Sequence, residues 1–493
     1  MLKSLGHEIV SVAQMAAADQ AACDAGVPTF DLMIRAGVAV ADLVTARWSP
    51  RPTVILCGPG NNGGDGFIVA QTLADAGWPV RVACLVDLHK LKGAAAQAAK
   101  NWTGETARLT EASATGAELV IDALFGAGLA RPVTNLVKTV LSSCEKAQTP
   151  ILAVDLPSGL NGDTGKPMGY APRVALTVSF HRKKPAHVLE PGRSLCGEIV
   201  ICDIGLSTPD AKVRLWENLP DLWLDRYPWP STETHKTERG RLVVVSGHAW
   251  NTGAARLASR AGLRIGAGLV TILSPIDALA SNAAHLEAVM LVPFDSDAEL
   301  AQAADKADVA VIGPAAGVSA QTRANLKALA RTGAALVVDA DVLTSFRDAP
   351  GDLFSVLDRD DVLTPHPGEF ERIFPGLLAS SPDRITAARK AAERAGAVLL
   401  LKGADTVIAA PDGRAVVNTN AAPWLATAGS GDVLAGLVAG LIAQGMDSFD
   451  AACAGVWIHA EAGATFGPGL ISEDLPGRVP ALLTRLLQRE DWR

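Results

Sequence analysis

Two series of short apolar runs, each separated by helical stretches, set the organisation of the chain. The first series comprises TVILC (53–57), VRVACLV (80–86), LVIDAL (119–124), PILAVDL (150–156), ALTVSF (175–180) and EIVICDI (198–204). Between these runs lie amphipathic stretches such as IVAQTLADAGW (68–78). Strand–helix alternation at this spacing predicts βαβ units and a parallel sheet. Residues 10–47 carry helical periodicity (AQMAAADQAACDAG, FDLMIRAGVAVADLV) and are expected to pack on that sheet.

The second series runs through RLVVVSG (241–247), LVTIL (269–273), AVMLVPF (288–294), VAVIG (309–313), ALVVDAD (335–341), DVLTPH (361–366) and AVLLLKG (397–403). Between the two series, residues 207–234 have four prolines, three tryptophans and no clear period, which reads as a connector. The chain is therefore expected to be α/β throughout. Its first domain spans 1–220, a linker covers 221–234 and the second domain covers 235–493. A length of 493 residues exceeds one ordinary domain and agrees with this division.

Composition narrows the setting. Net charge is −8 and the single dense basic run is HRKKP (181–185), so nucleic acid is not expected as a partner. Seven scattered cysteines form no C-x-x-C pair, which suits reduced thiols in a reducing compartment. The N-terminus lacks the apolar core of a signal peptide. The longest apolar run, VLAGLVAGLIA (433–443), is shorter than the roughly 20 residues that span a bilayer. A cytoplasmic protein without a membrane partner is expected, and a homo-oligomer.

Candidate chemistry gathers where strands end. GPGNNGGDG (58–66) follows the first strand and opens a helix; DALFGAG (122–128) and VDLPSGLNGDTG (154–165) are further glycine turns that begin with an acid. In open α/β sheets ligands bind outside the carboxyl ends of strands. Loop and helix N–H groups there can hold a pyrophosphate. Asn62, Asp122 and Ser158 offer small oxygen ligands without His or Cys, a set suited to a hard cation rather than zinc. Any one such turn often serves only to reverse the chain.

In the second half, ATAGSGDVLAGLVAGLIAQG (426–445) places a glycine turn before a long apolar helix with Asp432 in its first turn. The N–H groups of Gly429, Ser430 and Gly431 would face an anion, and Asp432 stands where a base takes a proton from an attacking hydroxyl. The bland alternative is a helix cap. LTPHPGEFERI (363–373) adds His366 and Glu369, and LLLKGADT (399–406) adds Lys402 and Gly403 after an apolar strand.

GPGNNGGDGFIVAQTLADAGWPV, DALFGAG and AVDLPSGLNGDTG resemble the NAD(P)H-hydrate epimerase family over 10–206. The resemblance implies a Rossmann-like domain in which Asn61, Asn62, Gly63, Gly64 and Asp65 grip the dinucleotide. It places potassium on Asn62, Asp122 and Ser158, and puts Gly126, Ala127, Gly128, Leu129 and Asp155 at the substrate. Asp155 is the expected acid–base residue, because inverting the hydrated C6 carbon moves a proton on and off oxygen or nitrogen. Ring opening and hydroxide loss both satisfy that requirement. Two positions depart from the family pattern: Ile34 in LMIRAG, where an acid is common, and His181, where a small residue is usual.

TPHPGE, KGADT and AGSGD, with HKTERGRLVVVSG, TGAARLASRAGLRIGAGLVTI and DADVL, resemble the ribokinase-like superfamily and, within it, the ADP- or ATP-dependent NAD(P)H-hydrate dehydratases, over 235–485. Carried over, Lys402, Gly403, Ala404, Asp405, Thr406 and Gly431 contact the adenine nucleotide, with magnesium at its phosphates. Ala254, Gly317, His366 and Asp432 line the hydrate site. The usual GPGLG turn reads GPAAG (313–317), and alanine at its centre is expected only with negative φ.

The leading reading is a bifunctional repair enzyme, isomerase and lyase, that epimerises R and S NAD(P)H hydrate and dehydrates the S form with ADP, or ATP, as phosphoryl donor. The alternative is a ribokinase-like kinase of a small alcohol with a dinucleotide-binding regulatory domain; a non-enzymatic binding module is a third class. A nicotinamide-dependent oxidoreductase is excluded. Its G-x-G-x-x-G with a following acid is absent after 53–57.

Overall fold

The computed structural model describes residues 6–207 and 213–489. The expected domain spans therefore extend at 1–5, 208–212 and 490–493 beyond the described residues. Two compact units result, divided between Val213 and Arg214.

The first unit holds seven strands: β1 Thr53–Cys57, β2 Val80–Cys84, β3 Thr106–Arg108, β4 Leu119–Ala123, β5 Ile151–Val154, β6 Leu176–Phe180 and β7 Glu198–Cys202. Their order is β3-β2-β1-β4-β5-β6-β7, parallel throughout. Strands β1, β4 and β5 are buried along their whole length, which is why they read as continuous apolar runs rather than alternating ones. The 10–47 region forms helices Val12–Asp24 and Thr29–Arg47. The second lays Leu32, Met33, Ala36, Val40 and Val44 into the core that β1 and β4 share. Strand order reverses between β1 and β4, so the loops after β1, β4, β5 and β6 converge on one edge.

The second unit has ten: β8 Leu215–Glu217, β9 Arg241–Val245, β10 Leu269–Pro275, β11 Met290–Phe294, β12 Val309–Ile312, β13 Ala335–Val338, β14 Val362–Leu363, β15 Val398–Leu401, β16 Val407–Ala409 and β17 Ala415–Val417. The order is β11-β10-β9-β12-β13-β14-β15-β16-β17-β8. β15, β16 and β17 are antiparallel neighbours, while β11 through β15 run parallel. The reversal of order falls between β9 and β12, and the helix Ser430–Ala443 packs across this centre with almost every residue buried.

The expected connector needs correction. β8 pairs with β17, Trp223 and Tyr227 are buried, and Trp223 stacks at a tilt on Trp457 of the helix Ser448–Phe466. Residues 214–234 thus belong to the second unit. Trp216, Trp223 and Tyr227 serve as core, and Pro220 opens the first of two short 3-10 turns. Strands β3 and β8 were not expected, because three residues carry too little period to register.

Candidate active sites

At the edge of the first sheet a cavity of about 940 Å³ is lined by Asp19, Asn61, Asn62, Asp65, Gly126, Ala127, Gly128, Leu129, Asp155 and Lys184, among others. NNGGDG is the start of the helix Asn61–Asp75, and the turn before it is packed tightly. A Cβ on Gly63 would lie 2.0 Å from the Gly58 carbonyl oxygen. The loop after β4 passes as closely: a Cβ on Gly126 would stand 2.7 Å from Asp155 Oδ2 and 3.1 Å from Asn62 Oδ1. Asn62, Gly126 and Asp155, from three loops, therefore meet at one point.

Asp155 follows β5 with φ +68°, a conformation uncommon for a residue with a side chain. Its Oδ1 accepts from Lys184 Nζ at 2.8 Å and from Ser179 Oγ at 2.9 Å, and its Oδ2 accepts from the Ala127 N–H at 2.8 Å. Lys184, fully buried, also donates to Ser179 Oγ (2.8 Å) and the Phe180 carbonyl (3.4 Å), so all three of its N–H bonds are engaged. His187 completes the support. Its Nδ1 accepts from the Lys184 N–H, so Nε2 carries the proton that bonds the Asp155 carbonyl at 3.0 Å. Burial pushes His187 down to about 3, which keeps it neutral.

These contacts set the charge of Asp155. Burial would raise its carboxyl, but the Lys184 ammonium and the Ala127 N–H overcome that and hold it at about 2. The contacts favour its anionic form. Lys184, Ser179 and His187 were passed over in the sequence because they lie in the HRKKP run and its flanks, where a buried lysine looks no different from a solvated one. His181, which stands in that run, adopts φ +62°, and its buried Nε2 has no hydrogen-bond partner among the described residues. That backbone explains why a small residue is usual there.

Asp122 and Ser158 are both fully buried and bonded to one another, Ser158 Oγ to Asp122 Oδ1 at 2.6 Å and the Ser158 N–H to Oδ2 at 2.8 Å. Burial pushes the Asp122 carboxyl up to about 6, and among the described residues no Lys or Arg pairs with it. Among the described residues Asn62 Nδ2 is buried without a hydrogen-bond partner. A buried carboxylate lacking a protein cation, with oxygen donors beside it, fits a hard cation.

In the second unit, Gly429 takes φ +85° as the residue before the helix Ser430–Ala443, and Asp432 stands in its first turn. A Cβ on Gly431 would lie 3.4 Å from Lys402 Nζ and 3.6 Å from Asp339 Oδ2. Lys402 donates to Asp339 Oδ1 at 2.8 Å and approaches Glu369 Oε2 at 3.9 Å. Burial, then the charge of Asp339, raises the Asp432 carboxyl to about 6 against the opposing pull of Lys402. Asp339 and Glu369 join the cluster without having been assigned a role from sequence; DADVL and TPHPGE were the signals that contained them.

The remaining positions sort clearly. His366 caps the helix Pro367–Ile373, its Nδ1 accepting from the Gly368 and Glu369 N–H groups. Thr406 Oγ1 accepts from the Gly403 N–H at 3.1 Å, and Arg384 Nε pairs with Asp405 at 3.2 Å, which shapes the 402–406 turn. Ser430 Oγ meets His459 Nε2 at 3.0 Å. Ala254 stands in the first turn of the helix Gly253–Ile265 that follows β9, and Gly317 in the loop after β12; the Gly317 N–H donates to Asp341 rather than joining the ion-pair cluster. At the centre of GPAAG, Ala315 has φ +56°, contrary to the expected negative value. The turn keeps its left-handed shape at the cost of alanine strain.

Two α/β units, each with acids and glycine turns at the switch point of its sheet, define a two-site enzyme of nucleotide-like ligands. A family model described as YjeF-related protein N-terminus matches residues 29–186, and one described as NAD(P)H-hydrate dehydratase matches 242–470. The bifunctional NAD(P)H-hydrate repair enzyme of Moorella thermoacetica is 35% identical, with 92% of each chain covered. That of Coxiella burnetii is 32% identical over 90% of this chain and 92% of its own. A ribokinase-like superfamily protein from Enterococcus faecalis shares the fold of the second unit, with 24% identity, 55% of this chain and 96% of that one covered, and a TM-score of 0.50. The chain belongs to the bifunctional NAD(P)H-hydrate repair enzyme family.

Proposed function

We propose that the two units act in sequence on hydrated nicotinamide dinucleotides. The first interconverts the R and S hydrates of NADH or NADPH; the second dehydrates the S form, with ADP, or alternatively ATP, as phosphoryl donor. The observation that carries this reading furthest is Asp432, a carboxyl near neutrality at the mouth of a glycine-turn helix and beside a lysine.

Hydroxide leaves poorly from C6. Phosphorylation of the 6-hydroxyl makes a good leaving group, and elimination restores the conjugated dihydropyridine. Asp432 deprotonates the hydroxyl as a general base, its carboxyl raised to about 6 by burial. The N–H groups of Gly429–Gly431 and the Lys402 ammonium receive charge on the phosphoryl oxygens. Magnesium bound with the nucleotide phosphates would supply further charge neutralisation there. Lys402–Thr406 hold the nucleotide, and Ala254, Gly317 and His366 the hydrate.

In the first unit Asn61–Asp65 and Gly126–Leu129 hold the dinucleotide, and the Asp155 carboxylate stabilises positive charge that develops on the ring. Potassium would be held by Asn62, Asp122 and Ser158, where it would offset the buried Asp122 charge. The enzyme is further proposed to be a cytoplasmic homo-oligomer; among the described residues no helix is long and apolar enough to cross a membrane.

The test is recovery of 340 nm absorbance from mixed R and S hydrate with potassium, magnesium and either nucleotide. Full recovery that outpaces spontaneous epimerisation supports both activities and identifies the nucleotide. Recovery that halts at the S fraction removes the epimerase, and none with either nucleotide removes the whole reading.

A further inference from the structure

Asp155 leaves a question about epimerisation: if it stays ionised, which group moves the proton? Asp65 faces the same cavity from the helix Asn61–Asp75. It is 9% exposed, and its carboxyl makes no hydrogen bond or ion pair among the described residues. A buried carboxyl left without a partner costs free energy and calls for an explanation. Its helix turn is closely packed on both sides, Gly64 against Met33 and Gly66 against Ala123 and Cys57.

We propose that Asp65 is the catalytic residue that carries the proton in epimerisation, with Asp155 as a stationary anion pinned by Lys184. This rests on the epimerase reading of the first unit. Burial, then the charges of Asp155 and Asp19, push the Asp65 carboxyl well above the usual carboxylate range, which favours its protonated form. Two carboxyls of one cavity driven apart in this way divide the labour of donor and charge stabiliser.

The Asp65 proton passes to the C6 hydroxyl oxygen, the C6–O bond breaks with its electron pair leaving on water, and the ring nitrogen lone pair forms a C6–N1 double bond. The resulting cation lies in the field of the Asp155 carboxylate. Water then adds to the other face of C6, the π pair returns to nitrogen, and the surplus proton returns to Asp65, directly or through the released water.

The test uses the full-length enzyme, with R-to-S conversion read by chromatography and dehydration of pure S hydrate as an internal control. D65N is expected to lower epimerase kcat about 100- to 10,000-fold, a larger effect than any rise in KM, with dehydration unchanged. In D65A, formate is expected to restore part of kcat by occupying the vacated space. A D65N kcat within tenfold of wild type overturns the proposal, as does a loss confined to KM, which would leave Asp65 a gripping residue. A folded, inactive D65A that formate does not rescue also overturns it. Wild-type enzyme without R-to-S conversion sinks the underlying epimerase reading instead.

Discussion

Lys402 and Asp339 meet at 2.8 Å across β14, one from the end of β15 and the other from the end of β13, directly beside the helix turn that carries Asp432. The pair sets the charge that Asp432 experiences. Asp339 raises its carboxyl and Lys402 lowers it, with burial the larger influence.

A general base works ionised, so dehydratase kcat should be level above pH 6 and fall about tenfold per unit below it. D339N removes one repelling charge and leaves the lysine unopposed. The acid limb should therefore move to lower pH, seen in kcat against pH at saturating nucleotide. A limb that stays in place would separate Asp432 from the base role.

Lys184→Met leaves Asp155 as an uncompensated buried charge. Loss of one partner from a buried pair costs about 3–5 kcal/mol, so the first unit should unfold at clearly lower urea at pH 7, and Lys184→Arg should fall between. Because Asp155 is depressed to about 2, the pair stabilises above the unfolded carboxyl value and is lost as pH falls through about 2. The wild-type and methionine forms should converge in urea midpoint toward that acid limit.

Replacement of potassium by tetramethylammonium should slow epimerisation while dehydration of pure S hydrate proceeds unchanged. Ser158→Ala removes the hydroxyl that bonds Asp122. It should raise the potassium needed for half-maximal rate by about tenfold or more. Equal rates in both salts would remove the cation from the site.

Ala315→Gly should stabilise the second unit by up to about 1 kcal/mol, since φ +56° is strained for alanine and open to glycine. Thermal unfolding checks this. No gain would mean that the loss of chain entropy in the unfolded state offsets the strain relieved.

Much of this architecture was legible. Strands β1, β4, β5 and β12 are apolar because both faces are covered, and such runs stand out from polar loops. The glycine turns were legible because close backbone approach admits little else. The sequence hid what depends on distant partners. Lys184 reads as one member of a basic run until β6 brings it against Asp155, and the sign of the Asp155 shift follows only from that contact. Ala315 was misjudged because the turn's shape is imposed by surrounding backbone, including the Gly247 strand end that it crowds, rather than by its own preference. Trp216, Trp223 and Trp229 gave no period because short strands and 3-10 turns have none to give.

The strand β8 carries a consequence for how the second unit is built. It leaves the ribosome about 200 residues before its partner β17, yet Asn218 just beyond it bonds Asn418 at 2.9 Å and the Cys453 carbonyl at 2.8 Å. The earliest-made strand of this sheet is thus among the last to find its place, and the first unit has finished translation while that edge still waits. Nascent chains arrested before residue 415 would hold a complete first unit and an unsealed second one, with β8 as a loose end between them.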